Sequence, residues 1–455
     1  MLVQLPHKPE FYIIPIAGRP LTEQLDQPFR TYDDFLTATS SEPLTYTRVS
    51  FSHPLIICYS SGTTGAPKCI VHQHGLILNL KKISMLHNSL SPKDTVLQYS
   101  STSWVLFYIM NGHLSTGATT ILYDGSPMWP DVKQFLRILE RHKATYLGTS
   151  PRYIFELEKA GVSPKHEFDL SSLKMVNTTG ATMSESQYRW FYANMPPKAQ
   201  ISNSAGGTDT ATSLAAVDPA GPLHVGEMQI PALGIDLDVA DPTTGQSIRQ
   251  TGQPGEMVVR KPFPSMPPFF WGDKDNKIYK AAYFERFDNV DVWAQHDWLS
   301  YNPKTRGFMM HGRSDGVLNP SGIRFGSGEI YAVTEGPKFQ SEIADTLCVG
   351  RRRPTDNDET VFLFVVMARG KAFTKDLEKR VRQAIAEALS PRHVPKFIVT
   401  IDEIPMTVNG KKVETAVKSL MSGRDIKVSS TVMNPDCLLS FRKFRDYEGP
   451  RESKL

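Results

Sequence analysis

YSSGTTGAPK, residues 59–68, sets the reading of everything around it. Two serines, two threonines and two glycines follow directly on the apolar run PLIICY (54–59), which reads as a buried strand, and a proline and a lysine close the segment. Glycines let a backbone approach an anion closely, while amide and hydroxyl groups donate to phosphate oxygens. Ser60, Ser61, Gly62, Thr63, Thr64 and Gly65 are therefore the candidate cradle, and Lys68 adds a positive charge. The spacing departs from G-x-x-x-x-G-K-[ST], and so does the residue after the lysine, which excludes that type of phosphate loop. Composition alone leaves an ordinary surface loop as the alternative.

Outward from this loop, residues 52–302 alternate short apolar runs with helical patterns and Gly-rich turns. ATTILYD (118–124) reads as a second buried strand, and VKQFLRILERHKA (132–144) carries apolar residues at helical spacing. Short strands separated by helices predict an α/β domain with partly parallel sheets. The character changes after GRSDG (312–316). ETVFLFVVMA reads as a strand, FTKDLEKRVRQAIAEAL as an amphipathic helix ended near Pro391 and Pro395, and FIVTIDEIP as another strand. That pattern predicts a small α+β domain. The expected division is an irregular segment at 1–50, a large domain at 51–314, a small domain at 315–430 and a tail at 431–455.

Bulk properties fit this organisation. The 455 residues exceed one ordinary core, and 40% apolar with 22% charged residues suits a globular chain. A formal charge of +4 accommodates anionic small molecules but is far from the dense basic stripe of a nucleic-acid binder, so no nucleic-acid partner is expected. Four isolated cysteines, with no C-x-x-C pair, indicate neither a zinc knuckle nor a disulfide framework and suit a reducing compartment. No apolar stretch reaches the ~20 residues of a transmembrane helix, and the amino terminus reads poorly as a secretory signal. The last three residues, Ser453, Lys454 and Leu455, form the S-K-L tripeptide read by the peroxisomal import receptor. Peroxisomal localisation is the expectation, with the cytoplasm as the alternative.

The 59–68 segment resembles the phosphate-loop signature of the adenylate-forming superfamily, which includes acyl-CoA synthetases, adenylation domains of peptide synthetases and luciferases. GGTDTATS (206–213) is similar to that superfamily's second nucleotide motif. The resemblance puts Gly207 and Thr208 at the phosphates, and Asp209 where most members place a magnesium-linked Glu; both acids are hard oxygen ligands. Alone, Thr-Asp after Gly-Gly reads as a turn or helix cap. GQPGEMVVR (252–260) is similar to a structural turn, with no catalytic role implied. Asp297, in AQHDWLS, corresponds to the ribose-binding Asp. In GRSDGVLNPSGIRFGSGEI (312–330) the resemblance implies Arg313 at the ribose, Asp315 as hinge, Gly322 on the pantetheine path and Arg324 on the α-phosphate. IPMTVNGKK (404–412) resembles the element carrying the catalytic lysine, which makes Lys411 the choice and Lys412 its competitor.

Longer strings, among them FFWGDKDNKIYKAAYF (269–284) and NPKTRGFMMHGRSDGVLNPSGIRFGSGEIY (302–331), resemble the acetoacetyl-CoA synthetases within that superfamily. The resemblance implies ATP, Mg²⁺ and CoA, and adenylation of a small carboxylic acid by Lys411, Thr208 and Arg324. It also implies a mobile small domain that then admits the thiol. Acetyl-CoA synthetases carry an acyl-pocket Trp where Gly206 stands here, which implies room for a longer acid; Trp104 lies on another pocket wall or serves as a core aromatic. Only 58 residues precede the loop, fewer than full-length members carry, so a shortened large domain with bared or repacked apolar faces is expected. The rival expectations are a ligase for another carboxylic acid and a nucleotide-binding remnant without activity. A carrier-loading module is disfavoured, since nothing after Lys411 resembles a carrier domain.

Overall fold

The β-branched and aromatic residues of PLIICY and KCIVHQ suit paired strands. They form an antiparallel hairpin, β1 (Pro54–Ser60) and β2 (Lys68–Gln73). The computed structural model describes residues 12–13, 30–37, 42–60, 68–102, 104–180, 183, 185–314, 316, 318, 320, 325–356, 358–408, 410–426, 428–429 and 431–449. The chain divides into two compact units, Met1–Ser50 and Phe51–Leu455. In the first, Tyr12–Ile13 pairs in parallel with Arg30–Thr31, and Tyr32–Thr37 is a helix.

The expectation of a buried strand at 54–59 needs correcting. Phe269–Phe270 pairs with the other side of β2, so β1 is an edge strand in which only Cys58 is buried. Tyr59 is 63% exposed. The helix α1 (Gly75–Lys82) follows the hairpin and leaves Ile77 and Leu78 exposed.

Five parallel strands come next: β3 (Thr95–Gln98), β4 (Thr119–Ile121), β5 (Tyr146–Thr149), β6 (Met175–Thr178) and β7 (Gln200–Asn203). Parallel neighbours need long crossovers, and the helices α2 (Val105–His113), α3 (Gln134–His142), α4 (Pro151–Lys159) and α5 (Glu185–Asn194) supply them. The strand order is β4-β3-β5-β6-β7. Leu97, Leu147, Val176 and Ile201 of the sheet pack with Phe135, Leu139, Ile154 and Phe191 of the helices, all essentially without solvent contact. The strand at 118–124 is shorter than read, and β4 is an edge strand with no fully buried residue.

A hairpin, β8 (Ala205–Gly207) and β9 (Thr212–Ala216), leaves this sheet, and β10 (Ile230–Pro231) extends it. The strands β11 (Leu237–Ala240) and β12 (Gly255–Val259) lead to β13 (Phe269–Phe270), the partner of β2, and to helix α6 (Lys277–Tyr283). With β14 (Trp293–Tyr301) and β15 (Phe308–Arg313) they give an antiparallel sheet in the order β11-β12-β14-β15.

The last part has a core of its own. Helix α7 (Ser327–Thr334) precedes β16 (Ile343–Arg351) and β17 (Thr360–Met367), helix α8 (Lys375–Ala388), β18 (Phe397–Thr400) and helix α9 (Glu414–Met421). Along β17 the side chains alternate faces, as strand geometry requires. Phe362 and Phe364 meet Val417 and Leu420 of α9, whereas Leu363 and Val365 meet Leu377 and Val381 of α8. Thr374 caps α8 by accepting from the Leu377 amide at 3.1 Å. Among the described residues no helix is long and apolar enough to cross a membrane, and all four cysteines are free thiols.

Candidate active site

Ser60 and Lys68 face each other across the β1–β2 ladder. Ser61, Gly62, Thr63, Thr64 and Gly65, with Asp315, Gly322 and Arg324, lie outside the described residues, as does the S-K-L terminus. The Lys68 ammonium stands over the rings of Tyr283 and Phe270, 5.2 and 5.7 Å from their centroids. Such cation–π placement holds a lysine head at a fixed spot while leaving its charge unneutralised.

Tyr283 carries the arrangement onward. Its hydroxyl donates to Asp209 Oδ1, and its ring stacks on Trp293 at 3.8 Å. Burial, with the Asp209 carboxylate beside it, pushes the phenol pKa well above its ordinary value, so it stays a donor. The Trp293 indole N–H donates to Gln295 Oε1 at 3.3 Å, and Gln295 Nε2 donates to Asp297 Oδ2 at 2.8 Å. Asp297 faces Arg313 across β14 and β15; their charged groups are 3.9 Å apart, and Arg313 also donates to the Gln295 carbonyl at 3.1 Å. The sequence reading missed Tyr283 and Gln295. The string YKAAYF entered only as part of a longer resemblance, with nothing to single out one tyrosine.

Thr208 and Asp209 sit in the tight turn between β8 and β9, where the Ala211 amide donates to the Gly207 carbonyl at 2.8 Å. His72 Nε2 lies 3.0 Å from the Thr208 carbonyl, and a carbonyl only accepts, so the proton is on Nε2. Burial holds the His72 pKa down at about 4, and the ring is neutral at physiological pH. At Gly207 an added Cβ would lie 3.7 Å from Asp209 Oδ2 and 3.8 Å from Gln295 Nε2, which puts this glycine between the Asp209 carboxylate and the amide that holds Asp297.

Gly206 has a backbone reason to be glycine. A Cβ there would come within 2.1 Å of the Thr212 carbonyl oxygen. The hairpin itself thus disfavours a side chain here, independently of any pocket. Trp104 is partly buried beside Cys58, Leu76, Leu80 and Ala211, and its ring edge lies 3.5 Å from a Cβ built on Gly180. It therefore packs on the core cluster beside the β8–β9 turn.

Gly410, with φ +71°, closes a turn in which the Lys411 amide donates to Thr407 Oγ1 at 3.1 Å and the Thr407 amide to the Lys411 carbonyl at 2.9 Å. Lys411 is exposed to solvent, with protein around its charged end. Desolvation first, then the Arg313 guanidinium, lower its pKa, while Asp297 and Asp209 oppose the shift. Its electrostatic neighbours are thus the charged residues of the large domain. Lys412 points elsewhere, into ion pairs with Glu335 and Asp345. The sequence left the two lysines in competition, and the geometry separates them.

No group of three or more metal-ligating side chains converges among the described residues. Asp209 offers one hard carboxylate, and Mg²⁺ is commonly held by one or two carboxylates together with substrate phosphates. The donor set fits an ion that arrives with a nucleotide.

The family described as "AMP-binding enzyme" matches residues 15–267, and "AMP-binding enzyme C-terminal domain" matches residues 340–411. The chain belongs to the AMP-binding enzyme family. Curated relatives of this AMP-binding enzyme include an acetoacetyl-CoA synthetase of Mus musculus, 40% identical over 415 residues, which make up 90% of this chain and 60% of the relative. A malonamoyl-CoA synthetase of Penicillium aethiopicum is 36% identical over 432 residues, 91% of this chain and 58% of its own. The solved acetoacetyl-CoA synthetase from Streptomyces lividans superposes with a TM-score of 0.86 at 36% identity, covering 96% of this chain and 65% of that one. This AMP-binding enzyme therefore spans about 60% of the length of the curated relatives it matches.

Proposed function

We propose that this chain is an ATP-dependent acid–CoA ligase that acts on a short 3-carbonyl acid, acetoacetate first, through an acyl-adenylate. One observation carries the reading: Lys411, from the carboxyl-terminal part, has Asp209, Asp297 and Arg313 of the large domain as its electrostatic neighbours. A lysine so placed can neutralise charge that develops on an α-phosphate and a carboxylate together. Likeness to acetoacetyl-CoA synthetases supports the choice of acid.

In the first half-reaction a substrate carboxylate oxygen attacks the α-phosphorus of ATP, and the bond to pyrophosphate breaks. Phosphoryl-type transfer asks mainly for positioning and charge neutralisation. Asp297 accepts from the ribose hydroxyls, Lys68 with the Ser/Thr/Gly residues at 60–65 holds the phosphates, and Lys411 with Arg324 serves the reacting oxygens. Mg²⁺, held by Asp209 with the phosphates, supplies charge neutralisation when bound. In the second half-reaction the CoA thiol, giving up its proton, attacks the acyl carbonyl and AMP leaves. The small domain turns about Asp315 between the two steps, and Gly322 leaves room for the pantetheine arm.

A second reading keeps the chemistry and changes the acid. Malonamate, named by the Penicillium relative, shares with acetoacetate a carbonyl at carbon 3. The test is ATP–pyrophosphate exchange with acetate, acetoacetate, malonamate and longer acids. Exchange driven best by a 3-carbonyl acid is expected; none with any acid overturns the ligase reading and leaves a nucleotide-binding remnant. Peroxisomal import through Ser453, Lys454 and Leu455 is part of the same proposal. Loss of the punctate signal of an amino-terminal fluorescent fusion when the tripeptide is removed is the expected result.

A further inference from the structure

Lys411 and Lys412 follow the Gly410 turn; across it Lys412 forms an antiparallel bridge with Met406, and Thr407 and Lys411 are hydrogen-bonded to each other. Successive side chains in bridged backbone point to opposite faces, so fixing one lysine aims the other. Lys412 is fixed with unusual thoroughness. Its ammonium contacts Glu335 and lies 2.9 Å from Asp345, donates to the Thr346 carbonyl, and stands 3.8 Å from the centre of the Tyr331 ring. Burial lowers its pKa, but the two carboxylates outweigh that and leave it above the ordinary lysine value. The ammonium is therefore charged at working pH.

The socket is itself braced. Tyr331 donates its hydroxyl to Glu414 at 2.5 Å and accepts from the Cys348 amide at 3.0 Å, and Ser327 donates to the same Glu414 oxygen at 2.9 Å. Glu414 lies three residues past Lys411, so the chain is pinned again just beyond the lysine pair. Asp345 reaches outward as well, with Arg152 of α4 at 4.0 Å. The lysine segment, helix α7 and strand β16 are thereby tied into one body, and a contact from the large domain ends on it.

A surface lysine pair would need none of this. Two carboxylates, a carbonyl and a ring around one ammonium cost desolvation that a solvated charge avoids, and such networks hold geometry better than they add stability. We propose that Lys412 is a positioning residue: seated in the Glu335–Asp345–Tyr331 socket, it directs Lys411 toward Asp209, Asp297 and Arg313 for the adenylation step. The proposal rests on the ligase reading for its chemical consequence, though not for its geometry.

The test separates the half-reactions. Lys412→Met is expected to lower acid-dependent ATP–pyrophosphate exchange by about tenfold to a hundredfold, the scale of a small misplacement at a reacting centre. CoA-dependent release of AMP from supplied acyl-adenylate should stay within about twofold of wild type, and Lys412→Arg should restore part of the exchange. Equal loss in both half-reactions, or no loss in either, overturns the proposal. Asp345→Asn, which leaves the ammonium one carboxylate, should give a weaker loss of the same selectivity and serves if Lys412→Met does not fold. A readout free of turnover guards against failure of the ligase reading. The pH dependence of Lys411 acylation by an amine reagent, followed by mass spectrometry, should move toward that of an ordinary lysine in Lys412→Met. An unchanged labelling profile also overturns it. Absence of wild-type exchange with every acid, by contrast, sinks only the ligase reading.

Discussion

At the scale of single residues, the site depends on charges held apart and aimed inward. Lys411→Ala should abolish exchange, a loss of at least about a hundredfold, because a positioned cation at developing charge is worth that much. ATP binding by calorimetry should survive, since Asp297 and Arg313 remain paired on their strands. Lys411 must be protonated to act, and its pKa is lowered by burial and Arg313. Exchange should therefore fall with rising pH earlier than an unperturbed lysine would allow. Tyr283→Phe removes the hydroxyl that orients Asp209 but keeps the ring stacked on Trp293. A drop of about tenfold in exchange with little change in thermal stability is expected, as for one lost charge-assisted hydrogen bond. What sequence offered here was uneven. Gly-Lys-Lys narrowed the lysine to two, whereas only the fold shows which one meets a socket. Tyr283 carried no signal, because its partner Asp209 lies 74 residues away.

Individual elements show why pattern reading succeeded in the interior and slipped at the edges. The helices α3 and α8 and the strand β17 follow their apolar periodicity closely, since both faces of the period are decided by burial. β1 and β4 carry equally apolar runs, yet each ends a sheet, and position in a sheet is a property of the partners. The β8–β9 hairpin teaches the same lesson about glycine. A Cβ at Gly206 meets backbone, not a yielding side chain, 2.1 Å away. Gly206→Ala should lower the melting temperature by several degrees, the equivalent of about 1–3 kcal/mol of strain. Gly206→Trp should unfold the hairpin before it reshapes any acid preference. A folded Gly206→Trp protein selective for acetate would show that pocket volume, not backbone approach, decides this position.

For the whole molecule, acid and base act on buried groups of opposite habit. His72 and His113 have no solvent contact, and burial holds both at about 4, below the free value of 6.5. A depressed pKa gives stability that is complete above the unfolded value and is lost as pH falls toward the folded one. Each histidine therefore costs about 3 kcal/mol by pH 4. Glu256 behaves in reverse. Buried on β12 opposite Trp298 of β14, it accepts from Ser314 at 2.8 Å and has Arg286 at 3.6 Å, with Asp297 and Arg313 nearby, and burial raises it to about 7 from 4.5. Its contribution is full at low pH and fades, by about 3 kcal/mol, as pH rises through 7. Glu256 thus offsets about half of what the two histidines lose in acid. Glu256→Gln removes the titration while preserving an acceptor for Ser314. Urea midpoints should then rise relative to wild type at pH 8 and fall more steeply between pH 6.5 and 4. If the two proteins keep parallel curves across that range, the buried carboxyl does not change its protonation with folding. The end of β15, anchored by Ser314 on Glu256 and on the His296 carbonyl, would then be indifferent to the charge of that carboxyl.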